Sequence, residues 1–341
     1  MKFVIFAAFL VFLTGLSKMH SGTYVGPPSD HFDGTLFYNP QPFPERHFFS
    51  FLWMRLTKDW AEWPEHVETI EGPKPPSRIV RGIRYSVINH ASVLIQTPEL
   101  NILTDPIWSE RCSPFTWIGP KRVVNPGLRF EDLPPIDVVL ISHNHYDSMD
   151  IPTLERLQDR FNPIFFTGLG NKDFLNYMGI QNVQELDWWD VVELKGSVLH
   201  FVPAVHFSGR GFFDRNHTLW GGFVVDSKAG RIYFSGDSGY SDLFKRIGAH
   251  FTDFTLAFLP IGAYEPREFM GPVHMNPSEA VKVHQEIHAR KSVGVHFGTF
   301  HLTAEDIDAP KRDLREALDR AQIAHDKFVV PEFGAGYCEG C

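Results

Sequence analysis

His143, His145 and Asp147 stand close together in the segment Ser-His-Asn-His-Tyr-Asp at residues 142–147. The apolar run at 137–141 predicts a buried strand, so these side chains follow the point where the strand ends. A loop can aim residues spaced by two at one point, whereas a helix needs a spacing of three or four. Imidazole and carboxylate are the ligands of hydrolytic zinc, and they also suit iron and manganese. The segment therefore predicts a metal site that activates water.

Three later segments each bring one metal-binding side chain to the end of a predicted strand. His206 follows the run 198–202, Asp237 follows 231–235 and a glycine turn, and His296 follows the strand that begins at Ser292. Either histidine alone is more typical of a hydrogen-bonded structural residue. Their recurrence in one chain with the His143 segment favours a shared metal site.

At these positions the chain resembles the metallo-β-lactamase superfamily, whose pattern is His-x-His-x-Asp-His followed by a distant His, Asp and His. The resemblance spans about Ile83 to Ala335. Segments 260–267, 269–274 and 296–300 resemble more narrowly the N-acylphosphatidylethanolamine-hydrolysing phospholipase D branch and its bacterial relatives. The resemblance implies an α/β fold, a four-layer αββα metallo-β-lactamase sandwich, here with an irregular N-terminal extension.

The resemblance also implies two metal positions, and the chain departs from the family at one of them. The first metal would be held by His143, His145 and His206, and the second by Asp147 and His296, with Asp237 bridging the two. The family's histidine after the aspartate is Ser148 here, a poor zinc ligand beside the second metal. We expect one tight and one weak zinc, with iron or manganese as alternatives. His301 is either a substitute ligand or a solvated loop residue.

Catalysis and substrate binding are expected from the same region. Asp147 is expected to orient the nucleophile, since zinc lowers the pKa of bound water to about 7. By resemblance, His274 reaches the site and binds phosphate or protonates the leaving group, and Tyr264 is a further substrate-binding candidate. Arg267 suits phosphate geometry, but an ion pair with a neighbouring glutamate is an equal alternative. His90 is expected to hydrogen-bond to a metal ligand from the second shell around the metals, where Ser148 also belongs.

The ends of the chain indicate export. Residues 1–22 carry Lys2 and an apolar run too short to span a bilayer, which predicts a signal peptide or membrane anchor, with a buried helix as the alternative. Residues 23–78 form a Pro- and aromatic-rich extension that wraps the core or meets a bilayer. Residues 79–337 form the hydrolase domain, and 338–341 a tail with a disulfide or free thiols. We expect a periplasmic or membrane-anchored protein.

Periodicity predicts helices at 48–57, 150–161, 171–178, 278–289 and 309–322, with Ser278 as a possible cap. Segments 219–226 and 231–235 predict a hairpin. The net charge of −9 without a basic cluster argues against nucleic acid as a partner.

Three functions remain open at this stage. The first is a phospholipase D-like phosphodiesterase that acts on a phospholipid at a membrane surface. The second is a lactone or amide hydrolase, and the third is a non-catalytic metal-binding relative. A long apolar pocket would favour the lipid.

Overall fold

Two mixed β-sheets form the centre of the protein. A computed structural model describes residues 21–41 and 48–341. Its strands are β1 Ile83–Asn89, β2 Ser92–Gln96, β3 Asn101–Thr104, β4 Val138–Ile141, β5 Ile164–Gly168, β6 Val183–Leu186, β7 Val191–Leu194, β8 Ser197–Val202, β9 Gly222–Ser227, β10 Gly230–Phe234, β11 Leu256–Pro260, β12 Ser292–Val295, β13 Phe328–Val329 and β14 Tyr337–Glu339. The first sheet has the order β14-β1-β2-β3-β4-β5-β6, and the second β13-β12-β11-β10-β9-β8-β7. The predicted hairpin is confirmed as the antiparallel pair β9 and β10.

Helices connect and cover these strands. They are α1 Phe48–Thr57, α2 Ile151–Phe161, α3 Lys172–Tyr177, α4 Leu243–His250, α5 Arg267–Met270, α6 Pro277–Glu286 and α7 Ala309–Ala321. All five predicted helices are confirmed, with ends shifted by up to a few residues. The helices α4 and α5 were not predicted.

The start of α6 differs from the prediction. Asn276, not Ser278, is the residue that caps the helix, and the predicted cap is wrong. The Asn276 side chain accepts the Glu279 backbone N–H, while the Glu279 carboxylate accepts the Asn276 N–H, at 2.9 Å each. Pro277 fits the first helical position because its missing N–H would have no partner within the helix.

Apolar side chains from both sheets fill the space between them. In β4, Val138 and Leu140 face this space, whereas Val139 and Ile141 pack in a second cluster with α2 and α3. The strand is therefore buried on both faces, which explains its continuous apolar sequence. A third cluster joins the outer face of the second sheet to α4, α6 and α7. The predicted αββα arrangement is confirmed.

The N-terminal extension packs against one end of this sandwich. Phe32 and Phe37 are each 1% exposed and belong to the cluster between the sheets. The His31 ring stacks on Trp188 with 4.3 Å between centroids. The wrapping interpretation is confirmed for this segment. Trp53 in α1 is 70% exposed and points away from the core.

The chain's last residues are not a separate tail. Cys338 lies in β14, which adds an antiparallel strand to β1, and it forms a disulfide with Cys341. Within 21–41 and 48–341, no helix has the length and apolar character needed to cross a bilayer. The predicted signal peptide or anchor, except for its last two residues, lies outside this described part.

Candidate metal centre

Six predicted ligands meet where strands of the two sheets end. His143, His145 and Asp147 follow β4 of the first sheet, while His206, Asp237 and His296 follow β8, β10 and β12 of the second. All are buried except His145 and Asp147, which are partly exposed. The carboxyl ends of neighbouring parallel strands lie at one edge of a sheet, so side chains from both sheets converge there.

The first group of ligand atoms comes from His143, His145 and His206. One ligand atom from each lies within 4.8 Å of the others. His206 Nδ1 donates to the Val273 carbonyl at 2.9 Å, which fixes the tautomer and leaves Nε2 free to face the group. This Nε2 lies 3.3 Å from His145 Nδ1. The three residues predicted for the first metal are therefore brought together.

The second group comes from Asp147, His296 and His90, again within 4.8 Å. Asp147 Oδ2 lies 3.1 Å from His90 Nε2 and 3.4 Å from His296 Nε2. Asp237 Oδ2 lies between the two groups, at 3.0 Å from His296 Nε2 and 3.7 Å from His143 Nε2. Asp237 thus has the central position that the bridging role requires.

Burial and neighbouring charges shift the pKa values of these residues. Burial raises the pKa of Asp147, but contacts with His296 and His90 outweigh it and hold that pKa well below its ordinary value. Burial lowers the pKa of His206 far enough that the ring is neutral and can bind metal. Burial opposes protonation of His296 too, yet Asp237 and Asp147 raise its pKa to about 10. A metal ion would displace that proton, so binding should release protons.

Buried polar atoms in this cluster fit a metal. His143 Nε2, Asp237 Oδ1 and both ring nitrogens of His296 are buried without a hydrogen-bond partner in the described part of the chain. Leaving such groups unpaired costs free energy, so their convergence on one point calls for a ligand that satisfies them. Nitrogen and carboxylate donors suit zinc, iron or manganese.

Ser148, which replaces the family's histidine, and His301, the possible substitute ligand, both lie outside these groups. Ser148 is fully buried, and its hydroxyl finds no hydrogen-bond partner among the described residues. His301 stacks on Trp63 with 4.9 Å between ring centroids and belongs to no ligand group. The substitute-ligand alternative for His301 is therefore disfavoured, and the residue lies in a loop, partly exposed, with its ring against Trp63. Cys112 is buried in a small apolar cluster and is also outside the groups.

Of the three predicted substrate-binding residues, the structure places only His274 at the site. His274 lines the cleft, and its ring lies 5.0 Å from that of His206. One of its ring nitrogens also lies within 4.8 Å of ligand atoms of His206 and Asp237. The Tyr264 hydroxyl instead donates to Asp313 at 2.5 Å. The Arg267 guanidinium pairs with both carboxylate oxygens of Glu279, at 2.8 and 3.0 Å. These two side chains lie outside the cleft lining with their polar groups paired, which corrects the expectation of substrate contacts and favours the ion-pair alternative for Arg267.

The sequence interpretation missed two residues that position ligands. The Ser142 hydroxyl donates to Asp105 at 2.5 Å and lies 2.8 Å from His143 Nδ1, so the carboxylate orients this ring through the serine. Asn39 bonds both the N–H and the carbonyl of His206, at 3.1 and 2.7 Å. Asp105 had a signal, a carboxylate directly after a predicted strand. Asn39 had none, because it comes from the extension.

The metal groups open onto a largely apolar cleft of about 740 Å³. His145, Asp147 and His274 form part of its polar floor, and Phe207 and Phe269 are among its apolar walls. The volume is typical of sites that bury most of a small ligand. A second cavity, of about 830 Å³, lies between residues 64–70 and α7 and contains none of the predicted ligands.

An αββα sandwich with buried histidines and aspartates at its strand ends defines the class of metal-dependent hydrolases. The chain belongs to the β-lactamase superfamily, since residues 100–297 match the family described as beta-lactamase superfamily domain. It is 39% identical over 267 residues to N-acyl-phosphatidylethanolamine-hydrolyzing phospholipase D 1 of Caenorhabditis elegans, which covers 74% of this chain and 75% of that protein.

Further comparisons agree on the fold. The mitochondrial N-acyl-phosphatidylethanolamine-hydrolyzing phospholipase D of Saccharomyces cerevisiae is 35% identical over 81% of this chain and 58% of its own length. The structure of an isothiocyanate hydrolase from Delia radicum gut bacteria matches with a TM-score of 0.61 at 18% identity, over 75% of this chain and 99% of that one. The last match shows the fold alone.

Proposed function

We propose that this hydrolase is a phospholipase D-like phosphodiesterase that acts on N-acylphosphatidylethanolamine or a related phospholipid. The observation that carries the proposal is the apolar cleft that leads to the two ligand groups. Relatives at 39% and 35% identity are named for this activity. An acylated phospholipid needs apolar walls for its chains and a cationic centre for its phosphate. The cleft lining supports the first requirement, and metal ions bound by the ligand groups would supply the second.

Zinc, when bound, would supply a nucleophile from water at neutral pH and positive charge for the phosphoryl oxygens. The chain's own residues do the rest. Asp147 and Asp237 hold negative charge in the cleft lining, where it would balance bound metal ions. His274 lines the cleft, so its ring can offer a nitrogen to the phosphate or the leaving oxygen.

The mouth of the cleft supports a membrane surface as the partner. Phe213 is 93% exposed and Phe212 is 62% exposed, and both belong to the cleft lining. Aromatic side chains beside an apolar opening would let a lipid pass from the bilayer into the cleft with little exposure to water. Export through residues 1–22, with cleavage or retention as an anchor, is part of the same proposal.

The walls of the cleft favour the lipid over the other two functions. A small polar lactone or amide does not need this apolar volume, whereas the acyl chains of a phospholipid do. A non-catalytic relative with a decayed site would be expected to lose more than one ligand, whereas Asp147, Asp237 and His296 are all retained beside the first group.

The test measures phosphatidic acid released from N-acylphosphatidylethanolamine in mixed micelles by the full-length protein, before and after a chelator and after zinc is restored. Release that disappears with the chelator and in His145→Ala, but persists in His301→Ala, supports the proposal. Bound metal without release would refute the phospholipid substrate and direct the assays to lactones and amides.

The contribution of the cleft mouth has its own measurement. We expect Phe213→Ser to reduce binding to phosphatidylcholine vesicles while hydrolysis of a short-chain, monomeric phosphodiester stays unchanged. Equal vesicle binding by the wild type and Phe213→Ser would remove this residue from the membrane contact.

A further inference from the structure

The metal position beside Ser148 lacks the histidine that the family pattern places there, and the structure brings another histidine to it. Ser148 belongs to neither ligand group, and its buried hydroxyl makes no hydrogen bond with a described residue. His90, 58 positions earlier in the chain, lies with its Nε2 inside the second group. The first group, by contrast, already has three histidines.

We propose that His90 is a direct ligand of the second metal and replaces the histidine that is absent at position 148. The proposal goes beyond the expected hydrogen bond from His90 to a ligand. It rests on the proposed metal-dependent function but not on any choice of substrate.

The distances fit three ligands around one ion. With metal–nitrogen and metal–oxygen bonds of about 2.0–2.1 Å, neighbouring ligand atoms of a tetrahedral zinc are about 3.3 Å apart. Asp147 Oδ2 lies 3.1 Å from His90 Nε2 and 3.4 Å from His296 Nε2. The ligand atoms of His90 and His296 lie within 4.8 Å of each other, and their rings are 4.0 Å apart between centroids.

The backbone holds His90 in the position that a ligand needs. His90 has a φ of 42°, a left-handed conformation that is unfavourable for a residue with a side chain. Its carbonyl accepts the His296 N–H at 2.8 Å, and its own N–H donates to Thr299 Oγ1 at 2.9 Å. The turn between β1 and β2 is thus fastened to the loop that carries His296. The two rings are fixed relative to each other before any metal binds.

A hydrogen bond from His90 to Asp147 would give a similar distance, so the test must separate a lost ligand from a lost hydrogen bond. A histidine introduced at position 148 can supply a metal-binding nitrogen, as it does in the family, but it does not stand in for His90 at the turn. Recovery of the second metal in His90→Ala/Ser148→His therefore distinguishes the two roles.

The experiment counts tightly bound zinc in the full-length protein by elemental analysis and measures each affinity by competition with a chromophoric chelator. We expect two equivalents in the wild type, one in His90→Ala and two in the double variant. Loss of a ligand should weaken the second site by more than about a hundredfold, beyond the 10–100-fold typical of residues that only support ligands. His284→Ala is the matched control, because His284 is also buried but bonds Ser292 Oγ at 2.8 Å, outside both groups.

Three results would overturn the proposal. They are a single zinc equivalent in the wild type, two equivalents in His90→Ala with affinities within tenfold of the wild type, and a loss in His90→Ala that Ser148→His does not restore. Retention of the first equivalent shows that each variant still has its metal-binding fold. Because zinc is counted without substrate, these outcomes are independent of whether the protein hydrolyses phospholipids.

Discussion

Replacement of His274 by alanine tests the chemistry of the cleft most directly. The side chain is 7% exposed and lines the cleft floor, 5.0 Å from the His206 ring and 5.3 Å from the His296 ring between centroids. Burial lowers the pKa of His274 to about 4, so the ring is neutral at pH 7. It therefore offers one N–H donor and one lone pair rather than a positive charge.

The size of the effect follows from that state. A hydrogen bond from a neutral donor to a charged phosphoryl oxygen contributes about 1.5–3 kcal/mol. Each 1.36 kcal/mol corresponds to a tenfold change in rate, so His274→Ala should lower kcat by about 10- to 150-fold. A variant that keeps an N–H donor, His274→Gln, should recover part of this loss.

Steady-state hydrolysis of N-acylphosphatidylethanolamine and elemental analysis of zinc are measured on the same preparations. We expect the metal content of His274→Ala to equal that of the wild type. His301→Ala serves as the control, because its ring is held by Trp63 away from the ligand groups. Wild-type turnover in His274→Ala would refute a role in the reaction. Loss of a zinc equivalent in His274→Ala would instead identify His274 as a metal ligand. The structure allows that outcome, because a His274 nitrogen lies within 4.8 Å of ligand atoms of His206 and Asp237.

Three further predictions concern the residues around the site. Arg267→Lys should lower kcat with little change in KM, because the guanidinium pairs with Glu279 and also donates to the His274 carbonyl at 2.9 Å, and a lysine cannot keep both contacts. A rise in KM alone would restore the phosphate-binding interpretation. Asn276→Ala should lower the free energy of unfolding by about 1 kcal/mol in urea denaturation, since the α6 cap is lost, whereas Asn276→Asp should not. Burial raises the pKa of Asp137, but the Arg78 hydrogen bond helps to hold that pKa below its ordinary value. The ionised carboxylate therefore stabilises the fold above about pH 4. This contribution is lost as the pH falls through the lower pKa of the folded state. The stability difference between the wild type and Asp137→Asn should therefore shrink on acidification, and a constant difference in melting temperature between pH 7 and pH 3 would contradict this.

Local patterns in the sequence were enough to predict the elements that carry the ligands. The apolar run of β4 could be recognised because a strand buried on both faces has no polar alternation. The residues that follow β4, β8, β10 and β12 could be selected because strand ends deliver side chains to one edge. The family resemblance then related these separate segments to a single site.

Partners far apart in the chain could not be predicted in the same way. Asn39 bonds His206 across 167 positions, and no local pattern marks it. Arg267 has the side chain of a phosphate-binding residue, yet Glu279 across the α5–α6 loop pairs with it. Tyr264 likewise donates to Asp313. In each case the side chain type was compatible with two partners, and only the packing decided between them.

The sequence by itself determined which residues can bind a metal and the strands from which they come, because residue type and hydrophobic period are local properties. Only the tertiary structure decided which of these side chains share one point in space. His90, His296 and Asp147 come from three distant segments, and the hydrogen bonds between loops set their separation. The effect of Ser148 on the second metal position therefore depends on His90, which joins the other ligands of that position only after the two sheets have packed.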